Sequence, residues 1–139
     1  MKVSDIMSGE VVSISDMATI KDAHLLMQNR SVRHLPVISE TSGKLVGVLT
    51  HKKMIATVIN MLNQYGAGAL DRKERKTFVH DIMDSDFQKL TVDEPLAIVA
   101  QYFINNKLGC LPVIDDEHNV IGIITSSDFV KLCAKILNR

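Results

Sequence analysis

Near the C-terminus the chain reads Gly122-Ile123-Ile124-Thr125-Ser126-Ser127-Asp128. A short apolar run is followed at once by three side chains that carry oxygen: Thr125, Ser127 and Asp128. If the run is a buried strand, it delivers Thr125 to its end, and Asp128 falls in the first turn of the helix that follows. A carboxylate is favoured there by the helix dipole. It can accept hydrogen bonds from both adjacent hydroxyls of a ribose, as an acidic residue does in dinucleotide folds. The Thr125 and Ser127 hydroxyls can bond sugar or phosphate, and the free N–H groups of a helix start suit an anion. The same residue types also serve a local purpose, with Thr125 or Ser127 as helix cap and Asp128 as complement to the dipole. Residue type leaves both readings open.

The elements that must position these groups occur twice. Val3-Ser4-Asp5-Ile6-Met7 returns as Val79-His80-Asp81-Ile82-Met83, and Leu35-Pro36-Val37-Ile38 returns as Leu111-Pro112-Val113-Ile114. Both recur at an offset of 76 (3 to 79, 35 to 111). Gly47-Val48-Leu49-Thr50 returns as Gly122-Ile123-Ile124-Thr125 at an offset of 75 (47 to 122), so one residue is lost between the anchors. Two copies at so long a period make a duplicated half-domain, not a solenoid. In each copy a β-type run (Val11–Ile14, Leu90–Val92) precedes a helix. The first helix starts near Thr19 with Ile20, Ala23 and Met27 at helical spacing, and the second has Pro95 in a first turn that tolerates proline. The Leu-Pro-Val-Ile strand, a turn and a second strand then form a hairpin. A closing helix follows, from about Lys52 to Tyr65 or from about Asp128 to Leu137.

Each copy therefore reads β-α-β-β-α, an α/β (α+β) class. A unit of about 60 residues buries little surface on its own. Two such motifs are expected to pack through their sheets with pseudo-twofold symmetry: motif 1 over 1–65, a linker over 66–78 and motif 2 over 79–139. The linker is basic at Arg72, Lys73, Arg75 and Lys76, which reads as a solvated face.

In this order and spacing, the D-I-M opening, the Leu-Pro-Val entry to a strand and the G-h-h-T-x-x-D segment resemble the CBS domain family over nearly the whole chain. The resemblance implies a Bateman module, that is, a tandem pair of CBS motifs, commonly a homodimer. Such modules take AMP, ADP, ATP or S-adenosylmethionine in clefts between the motifs, with no obligatory cofactor. It further implies that the cleft of Asp128 is lined from the other motif by Val12 and Ser13, with Ala23 adding to it, and by Val32, Arg33 and His34. Arg33 offers phosphate a planar, charge-assisted fork, and both Arg33 and His34 also suit a surface pair. Copy one departs from the pattern: Gly47-Val48-Leu49-Thr50-His51-Lys52-Lys53 puts Lys53 where copy two has Asp128. A lysine has three donors and no acceptor. The cleft built on Thr50, His51 and Lys53, with Leu90, Thr91, Leu108 and Gly109 opposite, is expected to bind nucleosides weakly or not at all.

Composition narrows the remaining classes. Lys+Arg and Asp+Glu are 16 each, so formal net charge is zero, and the positive excess of a duplex binder is missing. Hydrophobic residues make up 46% with no Trp, which calls for an aliphatic core. Cys110 and Cys133 have no CxxC partner and read as reduced, buried thiols, with no metal site. No apolar leader opens the chain and no stretch suits a membrane span, so a cytoplasmic protein is expected. Walker, HExxH and G-x-S-x-G patterns are missing, so no enzyme activity is expected. The acidic Asp84-Ser85-Asp86 and Asp115-Asp116-Glu117 read as turns. The function expected is regulatory sensing of an adenine nucleotide or adenosine derivative, acting on a separate effector protein. The alternative is a ligand-free dimerisation or docking module.

Overall fold

The computed structural model describes residues 1–106 and 109–139. Val12–Phe87 form one compact unit, the early unit; Met1–Val11 together with Gln88–Arg139 form another, the late unit. Both contain helices and strands, giving the mixed α+β class.

In the early unit, strand β1 (Ile14–Ser15) leads to helix α2 (Ile20–Arg30), the hairpin β2 (His34–Ile38) and β3 (Leu45–Thr50), and helix α3 (His51–Tyr65). In chain order these follow a one-turn helix α1 (Val3–Ile6), which lies in the late unit. The sheet order is β1-β2-β3, with β1 parallel to β2 and β3 antiparallel to it. Helix α2 starts where Thr19 accepts from the Asp22 N–H and Asp22 accepts from the Thr19 N–H, a reciprocal cap that satisfies two donors. Its apolar stripe, Ile20, Ala23 and Met27, is buried with Leu35, Val37, Leu49 and Met54.

The expected first strand is shorter than its apolar run. Val11, Val12 and Ser13 are irregular, and pairing begins at Ile14 opposite Val37. In the late unit the same place holds a single parallel bridge, Leu90 to Val113. Ser13 and Thr91 are exposed, so little side-chain burial supports a longer ladder there. The expected linker also holds a helix, α4 (Ala67–Lys76). Gly66 does end α3, at φ 79°, and α4 starts at the next residue. The basic residues are partly engaged: Arg75 Nε lies 2.8 Å from Asp71, and Lys73 Nζ lies 4.0 Å over the Tyr65 ring. Glu74 faces inward at 6% exposure, its Oε1 3.7 Å from His24 Nδ1.

The late unit contains helix α6 (Leu96–Asn105), the hairpin β4 (Cys110–Ile114) and β5 (Val120–Thr125), and helix α7 (Ser126–Leu137). Val3, Leu90, Leu96, Val99, Leu111, Val113 and Ile124 form its core. The two hairpins share their register, Val37 opposite Gly47 and Val113 opposite Gly122, with an irregularity one residue later in each.

Each D-I-M segment is folded onto the hairpin of the other sequence copy. In the early unit the second segment forms α5 (Val79–Ile82), Val79 is fully buried, and Asp84 and Val48 exchange backbone hydrogen bonds of 2.9 Å. In the late unit Val3 is fully buried, and Ser8 and Ile123 exchange bonds of 3.0 Å. The motif's methionine and the hairpin's glycine explain each other. A Cβ on Gly47 would lie 2.5 Å from Met83 Sδ and 3.0 Å from the Asp84 carbonyl. A Cβ on Gly122 would lie 2.7 Å from Met7 Sδ and 3.2 Å from the Ser8 carbonyl. Only glycine lets the added backbone approach this closely.

Candidate functional site

The end of β5 presents Thr125 to the start of α7. The Asp128 carboxylate reaches back, and its Oδ2 accepts from the Thr125 N–H at 2.8 Å. The Thr125 hydroxyl lies 2.7 Å from the Ser127 hydroxyl and 3.4 Å from the same carboxylate oxygen. Asp128 thus does cap the helix, but through one oxygen. Among the described residues no hydrogen bond engages its Oδ1. Across the hairpin Cys110 pairs with Thr125. Its thiol is pushed up to about 12, chiefly by burial and further by the Asp128 charge.

Asp128 also stands on the rim of a hollow of about 710 Å³ inside the late unit. Ile6 and Met7 from the first D-I-M segment, with Leu132 and Ile136 from α7, supply apolar walls. Lys131 and Lys135 line it at successive turns of α7 and Arg139 from just past the helix end, and Asp5 faces it from α1. The Asp5 carboxylate is already held by the Lys2 N–H at 2.7 Å.

The equivalent junction in the early unit is built differently. The Thr50 hydroxyl accepts from the Lys53 N–H at 3.1 Å, so here the threonine is the cap. The His51 N–H donates to the Arg33 carbonyl at 2.8 Å. His34 pairs with Thr50 across the hairpin, and its imidazole is held below the usual range by burial first and by the Arg33 charge second. A smaller hollow of about 470 Å³ is lined by His24 and Gln28 of α2, by Ser31 just past its end, and by Val32, Arg33 and His51.

Of the residues singled out from sequence, the structure brings Thr125, Ser127 and Asp128 together at one helix start. It brings Val32 and Arg33 together with His51, and His34 with Thr50, at the Lys53 end of the early hairpin. Ala23 is fully buried in the early core, Val12 is partly buried against that core, and Ser13 is exposed. Leu90 belongs to the late core, Thr91 is exposed and Gly109 is half-buried; Leu108 lies outside the described residues. Sequence reasoning missed Cys110, although it occupies the place of His34 at the repeat offset (34 to 110). It also missed the Ile6–Met7 wall, because it read the D-I-M segment as a mark of the repeat or a docking surface and not as a lining of the hollow. The acidic stretch at Asp115 is a turn: its Oδ1 accepts from the N–H groups of Glu117 and Asn119, each at 2.9 Å. Among the described residues no helix is long and apolar enough to cross a membrane.

The CBS domain profile matches residues 3–60 and 79–135. A homoserine O-acetyltransferase from Methanosarcina acetivorans is 32% identical over 133 residues, which is 96% of this chain and 22% of that enzyme. This chain thus spans less than a quarter of that relative. A CBS domain pair solved in complex with 5′-methylthioadenosine and S-adenosyl-L-methionine superposes with a TM-score of 0.77 at 27% identity, covering 97% of each chain. The CBS-pair protein CBSX2 of Arabidopsis thaliana, in its complex with AMP, gives a TM-score of 0.79 at 26% identity, again over 97% of each chain.

Proposed function

Because this chain belongs to the CBS domain family and carries the domain twice, as a Bateman module, we propose that it binds an adenosine compound at Asp128 and passes that binding on to a separate effector protein. One observation carries the reading. The Asp128 carboxylate is fixed through Oδ2 by the Thr125 N–H, while Oδ1 has no partner among the described residues and the side chain borders a hollow with apolar walls. A carboxylate held on one side and open on the other is preorganised to accept from a ribose without paying for its own ordering. The Thr125 and Ser127 hydroxyls lie beside it for sugar or phosphate. Two similar CBS pairs were solved with adenosine compounds, which supports the ligand class.

In this reading the base lies against the apolar walls beside Asp128, Ile6, Met7, Leu132 and Ile136, whereas Val12, Ser13, Ala23, Val32, Arg33 and His34, expected opposite it, lie in the early unit and are given no part in the site. The early junction of Thr50, His51 and Lys53 stays without ribose. There Thr50 is spent on capping and Lys53 accepts nothing. The direct test is thermal unfolding of the whole chain with AMP, ATP and S-adenosylmethionine. A ligand at 100 times its Kd should add about 2.7 kcal/mol, and Asp128→Ala should cut that gain to about 1.4 kcal/mol or less. No shift with any of the three would sink the reading.

A second reading, docking to a partner or to a second copy, is favoured by exposed apolar side chains on the helices. On α7 Val130 and Leu137 are 67% and 82% exposed, and on α6 Ile104 is 75% exposed. Dimerisation through these helices is compatible with ligand binding at Asp128. Sedimentation at several concentrations, with and without AMP, separates a ligand-indifferent dimer from a ligand-sensitive one.

A further inference from the structure

The hollow beside Asp128 is electrically lopsided, and that asymmetry bears on which adenosine compound it takes. Three cations, Lys131, Lys135 and Arg139, line it against two carboxylates, Asp5 and Asp128. Both carboxylates are already engaged by backbone N–H groups, Asp5 by Lys2 and Asp128 by Thr125. The three cations have no ion-pair or hydrogen-bond partner among the described residues. Lys131 and Lys135 lie three and seven residues from Asp128 and so form one stripe along α7, with Arg139 two residues past the helix end. With a rise of about 1.5 Å per residue, the stripe runs roughly 4.5 Å from Asp128 to Lys131 and roughly 10 Å to Lys135.

Resting on the proposed ribose contact at Asp128, we infer that the ligand is an adenosine di- or triphosphate whose phosphate chain runs along α7 past Lys131 towards Lys135. A ribose seated on Asp128 with its 5′ carbon towards the C-terminal end of α7 places successive phosphates beside successive ammonium groups. Each is then a charge-assisted contact in a partly walled space. A sulfonium ligand such as S-adenosylmethionine would put its positive charge against the same stripe, which is unfavourable. A nucleoside without phosphate would leave the stripe unused. The apolar walls, Ile6, Met7, Leu132 and Ile136, reduce screening compared with an open surface.

The experiment is calorimetric titration of the whole chain with adenosine, AMP, ADP, ATP and S-adenosylmethionine, for the native protein, Asp128→Ala and the double variant Lys131→Met, Lys135→Met. Methionine keeps an unbranched apolar stem and removes the charge, and both lysines are exposed, so folding is preserved. Expected is ATP or ADP at least tenfold tighter than adenosine, with an advantage that shrinks as salt is raised. The double variant should lose that advantage while adenosine binding stays unchanged. S-adenosylmethionine as tight as ATP, or an ATP advantage that survives in the double variant, overturns the inference. Those results leave the ribose site standing if Asp128→Ala still abolishes adenosine binding. Should Asp128→Ala leave every ligand bound as before, the ribose site itself fails, and this inference with it.

Discussion

The two hairpin-to-helix junctions start from one ancestral pattern and solve the same local problem in opposite ways. After β3, Thr50 caps the helix with its hydroxyl, accepting from the Lys53 N–H. After β5 the side chain at the third helical position does the capping, because Asp128 accepts from the Thr125 N–H and the Thr125 hydroxyl turns to Ser127. A helix start needs acceptors for its orphan N–H groups, and either arrangement supplies one. They differ in what is left over. The early junction ends with its hydroxyl occupied and a cation at the third position. The late one ends with a carboxylate oxygen that still has capacity and with two hydroxyls next to it. The strand position opposite the threonine differs in the same sense, His34 in one unit and Cys110 in the other. A duplicated fold can therefore keep its architecture while a single substitution at a helix start decides which copy retains a carboxylate oxygen with capacity to accept.

The strongest way to break this comparison is to exchange the two side chains. Asp128→Ala should cost about 1.5–3 kcal/mol of adenosine-compound binding, the worth of hydrogen bonds to a charged group, or roughly ten- to more than a hundredfold in Kd by titration calorimetry. Lys53→Ala should change that affinity by less than about twofold, well under the 1.4 kcal/mol that a tenfold change requires. Lys53→Asp should raise the stoichiometry from one bound compound per chain towards two. Loss of binding in Lys53→Ala equal to that in Asp128→Ala would show that the junctions are not functionally distinct.

The glycine contacts sharpen the comparison on the side of stability. Gly47→Ala should destabilise by about 1–3 kcal/mol, the range for forcing a methyl into packed space. Gly122→Ala should cost less, since its neighbours stand 0.2 Å further away at both sulfur and carbonyl. Combining Gly47→Ala with Met83→Ala should give less than the sum of the single losses, because both act on one contact. Denaturant unfolding of the four variants checks the ranking, and equal losses at both glycines would remove the difference between the units.

A smaller effect is expected from pH. Folding lowers the His34 pKa below its ordinary 6.5, so the unfolded chain binds the proton more readily than the folded one. The stability carried by neutral His34 is therefore complete above about pH 6.5 and is lost as pH falls through that value towards the lower folded pKa. Melting temperatures between pH 7.5 and 5.5 should fall less steeply for His34→Asn than for the native chain. An unchanged slope would mean that other groups carry the dependence. Smallest of all is a difference between thiols. Cys110 is buried as expected, with its thiol held up to about 12, whereas Cys133, expected to be buried too, is exposed on the last helix, so a thiol reagent at neutral pH should label one cysteine per native chain and two in denaturant.

Much of this was legible before any coordinates. The D-I-M, Leu-Pro-Val and G-h-h-T anchors located the duplication, and the helical spacing of Ile20, Ala23 and Met27 gave the buried face that α2 presents. Helix α4 was not legible, because Gly66 and Gly68 read as a terminator and a helix can restart one residue beyond a positive-φ glycine. The first strand was overread from Val11 and Val12, since apolar type does not report whether a backbone neighbour is present to pair with.

The order of side chains along the chain by itself determined the repeat, the family and the contrast between Lys53 and Asp128, because these depend only on residue identity at fixed spacing. The tertiary structure alone decided which D-I-M segment covers which hairpin. Both copies carry the same segment and the same receiving glycine, so no pattern can choose between a copy folding on itself and an exchange. Chain connectivity makes that choice. Helix α4 leads the chain back to α2, where the Thr77 carbonyl meets the Ile20 N–H and the second D-I-M segment lands on the first hairpin. That exchange is also what brings Ile6 and Met7 to the wall of the hollow beside Asp128.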